Sequence, residues 1–163
     1  NPVYPLAQTV GGVNMDALSM SGPAKNLTVV GMGKSELDGY LNAAAKIERR
    51  TPEREPTPEK GFYYRSDHFS FAKLGVPMVY FEGGDDLVKG GKEAAEKAAK
   101  DYEENRYHAP GDEFDENWDW SGVMADLNLY YRVGRMLAMT DAWPNWIEGD
   151  EFRAIRDKSR AAK

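Results

Sequence analysis

Short apolar runs alternate with longer amphipathic segments along this chain. Three runs have the length and composition of buried strands: Val10 to Met15, Leu27 to Val30 and Val76 to Phe81. Apolar positions at helical spacing predict four helices: from a Ser35 cap to Ile47, over Phe69 to Leu74, from Lys89 to Tyr102, and from Ser121 to about Met139. Alternation of strands and helices is typical of the α/β class.

The segments between these elements predict where the surface lies. Thr51 to Lys60 contains three prolines among charges of both signs, so we expect residues 51–60 to form an exposed loop. Ser66 or Asp67 is expected to cap the short helix that follows. A polar loop from Asn105 to Asn117 interrupts the helical pattern, and residues 144–163 are expected to form a peripheral charged tail.

Composition narrows the function classes. The chain has 163 residues, which suits one domain, and its formal charge of −6 argues against a nucleic-acid partner. No apolar run approaches the roughly 20 residues of a membrane helix, so we expect no membrane partner. Because cysteine is absent, any metal would be held by histidine and carboxylate side chains.

Two residues are candidates for binding chemistry. Asp16 ends a predicted buried strand, and ligands of open α/β sheets bind beyond the carboxyl ends of strands. A turn-forming role for Asp16 is equally compatible with the sequence. His108 lies in a polar loop where a neutral imidazole can face a metal or a substrate, although a lone histidine is more often structural.

Three segments together resemble the C-terminal half of the catalytic domain of M28 family zinc peptidases. They are Val13-Asn14-Met15-Asp16, the stretch Tyr64-Arg65-Ser66-Asp67-His68-Phe69-Ser70-Phe71 continuing to Gly75-Val76-Pro77, and Tyr107-His108-Ala109-Pro110-Gly111-Asp112. The resemblance implies a mixed, mainly parallel sheet flanked by helices, here incomplete. It also implies an enzyme that hydrolyses peptides with a pair of zinc ions.

The same resemblance assigns roles to individual residues. Asp16 would bind one zinc and His108 the other, while Tyr107 would donate a hydrogen bond to the oxyanion. Asp67 would hold the catalytic glutamate or a ligand in orientation. His68 receives no role, and the remaining zinc ligands and the general base have no counterpart in residues 1–163.

We therefore expect residues 1–163 to be the C-terminal part of a single catalytic domain, a view that the start at Asn1 without methionine also favours. The expected activity is that of a di-zinc exopeptidase, most simply an aminopeptidase. The expected partners are a peptide substrate and the missing N-terminal half, with self-association where that half is absent. The isolated chain should be inactive. The resemblance also suggests a secreted or periplasmic parent.

Two alternative functions stay open at this point. The chain can be a non-catalytic remnant or a peptide-binding module, because it offers each metal only one ligand where a catalytic zinc normally has about three. It can also belong to a glutaminyl-cyclase-like enzyme that uses a single zinc ion.

Overall fold

One four-stranded open sheet organises the chain, whose computed structural model describes residues 3–16 and 18–161. The strands are Gly12–Asn14 (β1), Asn26–Val30 (β2), Thr51–Arg54 (β3) and Met78–Gly83 (β4). The helices are Leu37–Glu48 (α1), Phe69–Ala72 (α2), Gly91–Asn105 (α3), Trp120–Ala138 (α4) and Arg153–Ala161 (α5). Short 3₁₀ turns occur at Leu6–Gln8, Pro58–Lys60 and Phe62–Tyr64.

The sheet is mixed. Its strand order is β1-β4-β2-β3, with β1 parallel to β4, β2 parallel to β3, and β2 antiparallel to β4. Helices flank this sheet, so the predicted α/β class with a mixed, mainly parallel sheet is confirmed. None of the helices in the described part of the chain combines the length and apolar character that a membrane span requires.

Each face of the sheet has its own apolar cluster. On one face, Leu27 and Val29 of β2 and Phe81 of β4 pack with residues of α1 and α4. On the other face, Val30 and Tyr80 pack with aromatic and small side chains from α2 and the C-terminal region. Because strand side chains alternate in direction, two adjacent residues such as Tyr80 and Phe81 serve opposite faces.

The predicted exposed loop at residues 51–60 is wrong in its first four residues. Thr51–Arg54 form strand β3, which pairs in parallel with β2 so that Pro52 lies opposite Leu27. β3 is the last strand of the sheet, and proline is tolerated in an edge strand because the outer side needs no N–H donor. Residues 55–57 lie outside any helix or strand, as predicted, and Pro58–Lys60 form a 3₁₀ turn.

The predicted peripheral tail is also wrong, because the C-terminal region completes the second apolar cluster. Trp146 is fully buried and its Nε1 donates to the carbonyl oxygen of Gly75 at 2.9 Å. Arg156 is buried too, and its guanidinium donates to the carbonyl oxygens of Thr9 and Val10 at 2.8 and 2.9 Å. The tail therefore joins the segment before β1 to the loop after α2. Apolar residues spaced among charges concealed this packing in the sequence.

The expected cap of α2 is wrong as well. Neither Ser66 nor Asp67 caps this helix with its side chain, since the residue before α2 is His68 and no side-chain cap bond is made there. The long helix predicted from Ser121 to Met139 is confirmed as α4, and the carboxylate of Asp119 accepts a hydrogen bond from the N–H of Ser121 at its start. The hydroxyl of Ser66 is used elsewhere, at the end of β1.

Candidate metal centre

Asp16 lies just beyond the carboxyl end of β1, where a hydrogen-bonded chain of side chains holds it. The Ser66 hydroxyl donates to Oδ2 of Asp16 at 2.6 Å, and the side-chain amide of Asn14 donates to the Ser66 hydroxyl at 2.9 Å. Asn14 is buried and Asp16 is exposed. A buried anchor thus fixes one carboxylate oxygen of Asp16 through Ser66, and the carboxylate projects from the sheet edge toward solvent.

His68 lies in the same region but is shielded from solvent. Its ring packs between Tyr63, 4.6 Å away between ring centres, and Tyr80, 5.1 Å away. Burial lowers the pKa of His68, while the nearby negative charges of Asp16 and Asp67 oppose that shift. His68 is therefore a buried ring close to the negative charges of both Asp16 and Asp67.

Glu82 is a carboxylate close to Asp16 that the sequence patterns did not single out. It lies in β4 and accepts a hydrogen bond from the Tyr80 hydroxyl at 2.5 Å. Burial raises the pKa of Glu82, and the charges of Asp16 and Glu55 raise it further. In the sequence, Glu82 directly follows the apolar run Val76 to Phe81. A carboxylate at that position lies at the same end of the sheet as Asp16.

The second pair of predicted residues lies in the turn that follows α3. His108 has a φ of 55°, a left-handed conformation that few residues other than glycine adopt. Its ring lies 4.1 Å from that of Tyr107 between ring centres. The Tyr102 hydroxyl donates to Asp112 at 3.0 Å, which ties the turn to α3. Both Tyr107 and His108 are exposed.

A cleft of about 810 Å³ is lined by Glu82 of β4, by Leu18, and by Arg106 and Asp112. Leu18 closely follows Asp16 in the sequence, and Arg106 and Asp112 flank Tyr107 and His108. None of Asp16, Asp67, Tyr107 and His108 lines the cleft itself. A cleft between the carboxyl end of a strand and a polar loop is the expected place for a substrate of an α/β protein.

The described residues do not by themselves form a zinc centre. Nowhere in residues 3–16 and 18–161 do three or more histidine, aspartate or glutamate side chains converge as a metal site. The structure brings Asp16 together with Ser66 and places Asp67 and His68 nearby, but it shows no contact between this group and Tyr107 or His108. The convergence of all four predicted residues stays a prediction.

Comparison with models of known protein families shows the family of this chain. The model described as Peptidase family M28 matches residues 1–132. The chain belongs to peptidase family M28, and its class is that of a peptidase-type hydrolase. Searches of curated proteins and of solved structures found no match.

Proposed function

We propose that this chain is the C-terminal part of a zinc-dependent exopeptidase, and specifically of an aminopeptidase. The observation that supports the proposal best is the placement of Asp16. Its carboxylate is anchored by Ser66 at the carboxyl end of β1, at the same end of the sheet as Glu82 of β4, which lines a cleft of about 810 Å³.

Asp16 and His108 are the residues that would hold metal in this proposal, one for each ion. When bound, a zinc pair lowers the pKa of water and polarises the scissile carbonyl. Ser66 keeps the Asp16 carboxylate oriented, because partners that hydrogen-bond a ligand fix its geometry. The exposed hydroxyl of Tyr107 donates to the oxygen of the scissile carbonyl as it gains negative charge. Asp67, close to His68, orients the general base or a ligand.

Additional donors must come from outside the described residues. A catalytic zinc takes about three protein ligands. In this proposal each zinc ion receives one ligand from the described residues, Asp16 for one ion and His108 for the other, and no three donors converge there. The proposal therefore assigns the remaining ligands and the general-base glutamate to another part of the same catalytic domain. A peptide, whose residues around the cleaved bond would occupy the 810 Å³ cavity, is the proposed substrate.

The first prediction follows from this count of donors. The 163-residue chain alone should hydrolyse aminoacyl-anilides no faster than buffer, even with added zinc, whereas the intact peptidase should be active and sensitive to chelators. Both preparations are assayed at equal concentration with matched zinc. Zinc-dependent activity of the isolated chain would contradict the assignment of missing ligands. An intact protein that binds peptides without cleaving them would support a peptide-binding module instead.

The second prediction concerns the hydrogen bond between Ser66 and Asp16. In the intact peptidase, Ser66→Ala should lower zinc affinity or kcat by about 10- to 100-fold, the usual cost of removing a partner of a metal ligand. Ser66→Thr retains the hydroxyl and should recover most of the loss. Ser70→Ala is the matched control, because Ser70 is exposed on the adjacent helix α2. Equal zinc affinity and rate for Ser66→Ala and Ser70→Ala would exclude this role for Ser66.

A further inference from the structure

Residues 146–156 connect the two parts of the chain whose side chains meet in the hydrogen bond between Ser66 and Asp16. One part, residues 9–16, leads through β1 to Asp16, and the other, residues 62–76, carries Ser66 and helix α2. We call residues 146–156 the C-terminal clip. The clip lies beyond the end of the family match.

Phe152 of the clip packs against the chain on both sides of Ser66. Its ring is buried and lies 6.3 Å from that of Tyr63 and 6.1 Å from that of Phe69, measured between ring centres. Tyr63 and Phe69 are each three residues from Ser66, one before it and one after it. Aromatic rings at such distances attract each other beyond the gain from burial. The contacts with Phe152 therefore restrict movement of the backbone that carries Ser66.

Arg156 joins the same stretch of chain to the start of β1. Its guanidinium donates to the carbonyl oxygens of Thr9 and Val10, and Val10 lies two residues before β1 begins. Its backbone lies against Gly75, where an added Cβ atom would come within 2.7 Å of the backbone nitrogen of Arg156. The planar guanidinium presents several donors in a fixed arrangement, so it can hold two carbonyl groups at once. Arg156 thus fixes the segment before β1 relative to the loop after α2.

Strand pairing alone does not fix the position of Ser66. β1 is tied to the end of the 62–76 stretch, where the N–H of Gly12 donates to the carbonyl oxygen of Pro77 at 3.0 Å. Ser66 precedes that point by a turn and a short helix, and Asp16 lies at the other end of β1. The contacts of Phe152, in contrast, lie within three residues of Ser66.

We infer that the C-terminal clip is a positioning element of the metal site, which holds Ser66 against Asp16. Arg156 and Phe152 are the positioning residues, and they act through the hydrogen bond between Ser66 and Asp16. The inference rests on the proposed function, in which Asp16 binds zinc. It gives the C-terminal region a role in metal affinity in addition to its part in the second apolar cluster.

Arg156→Met in the intact peptidase tests the inference, because methionine keeps an apolar side chain but donates no hydrogen bond to the two carbonyl groups. We expect zinc affinity, measured by competition with a chromogenic chelator, to fall about tenfold, as for a lost partner of a metal ligand. In a Ser66→Ala background the same change should cost less than about twofold, because residues that act through one hydrogen bond are not additive. Arg135→Met is the matched control, since Arg135 is exposed on α4.

Hydrogen exchange of the metal-free protein provides a readout that requires neither zinc nor activity. The amides of residues 62–76 should exchange at least about fivefold faster in Arg156→Met than in the natural protein, since local opening becomes easier. The amides of α4 should exchange at an unchanged rate. If Arg156→Met does not fold, Arg156→Lys and Phe152→Leu replace it, with smaller effects in the same direction.

Two results would overturn the inference alone. One is unchanged exchange of residues 62–76 in the Arg156 variants. The other is an equal loss of zinc affinity with and without the Ser66 hydroxyl, because the clip would then stabilise the fold without acting through Ser66. Absence of zinc from the natural intact protein would instead refute the proposed function, and the inference with it.

Discussion

Replacing His108 by alanine in the intact peptidase should reduce kcat/KM by more than about 100-fold, since loss of a metal ligand exceeds the 10- to 100-fold effect of its hydrogen-bonding partners. The zinc content should fall at the same time. The left-handed backbone at His108 supports this importance, because a strained conformation at a non-glycine residue must be maintained by its surroundings. Aminoacyl-anilide kinetics and metal analysis of the same samples measure both effects.

Neighbouring substitutions separate metal binding from other effects on this turn. Tyr107→Phe should lower kcat by about 10²–10³ with zinc content unchanged, as expected for one lost oxyanion donor. Tyr102→Phe removes only the hydrogen bond to Asp112 and should change the rate little. Asp16→Asn should weaken zinc binding. Full zinc and full rate in His108→Ala would refute the assignment of His108 as a ligand.

Replacing Trp146 by alanine should destabilise the protein by about 3–5 kcal/mol, the range for truncating a large buried aromatic residue. Trp146 is fully buried, packs at a tilt against Phe152 with 5.0 Å between ring centres, and donates a hydrogen bond to the carbonyl oxygen of Gly75. Its removal leaves both a cavity and an unpaired carbonyl group. The midpoint of urea unfolding, followed by circular dichroism, measures the change in the free energy of unfolding.

The residue next to Trp146 provides the control. Ile147 is 44% exposed, so Ile147→Ala should change stability by less than about 1 kcal/mol, as is usual for surface positions. Trp146→Phe retains most of the apolar volume and should fall between the two. If Trp146→Ala and Ile147→Ala unfolded at the same urea concentration, the tail would be peripheral, and its docking in this fold would be incorrect.

Periodicity was sufficient to predict the elements whose apolar residues are dense. α4 and β4 match their predicted positions because many consecutive apolar side chains leave little choice of face. β3 was missed because its pairing with β2 depends on a partner distant in sequence, and Pro52 argued locally against a strand. The buried tail was missed because its few apolar residues, among them Trp146 and Phe152, do not recur with the period of a helix or a strand.

Candidate site residues could be predicted only where a short sequence pattern marks them. Asp16 is a candidate because of its place at the end of a strand, and the structure shows that its carboxylate accepts a hydrogen bond from Ser66. Ser66 was predicted to cap helix α2 because it lies just before that helix in the sequence. Its hydrogen bond to Asp16 depends on the fold, which brings together residues that are far apart in the sequence. Glu82 was missed for the same reason, because its burial and its closeness to Asp16 arise from strand pairing.

Anomalous diffraction at the zinc edge from crystals of the intact peptidase tests the central claim most directly. We expect two zinc ions roughly 3.5–4 Å apart. A carboxylate oxygen of Asp16 should bind one ion and a ring nitrogen of His108 the other, each at about 2.0–2.2 Å. Zinc bound without either residue, with the His108 turn remote from Asp16, would contradict it.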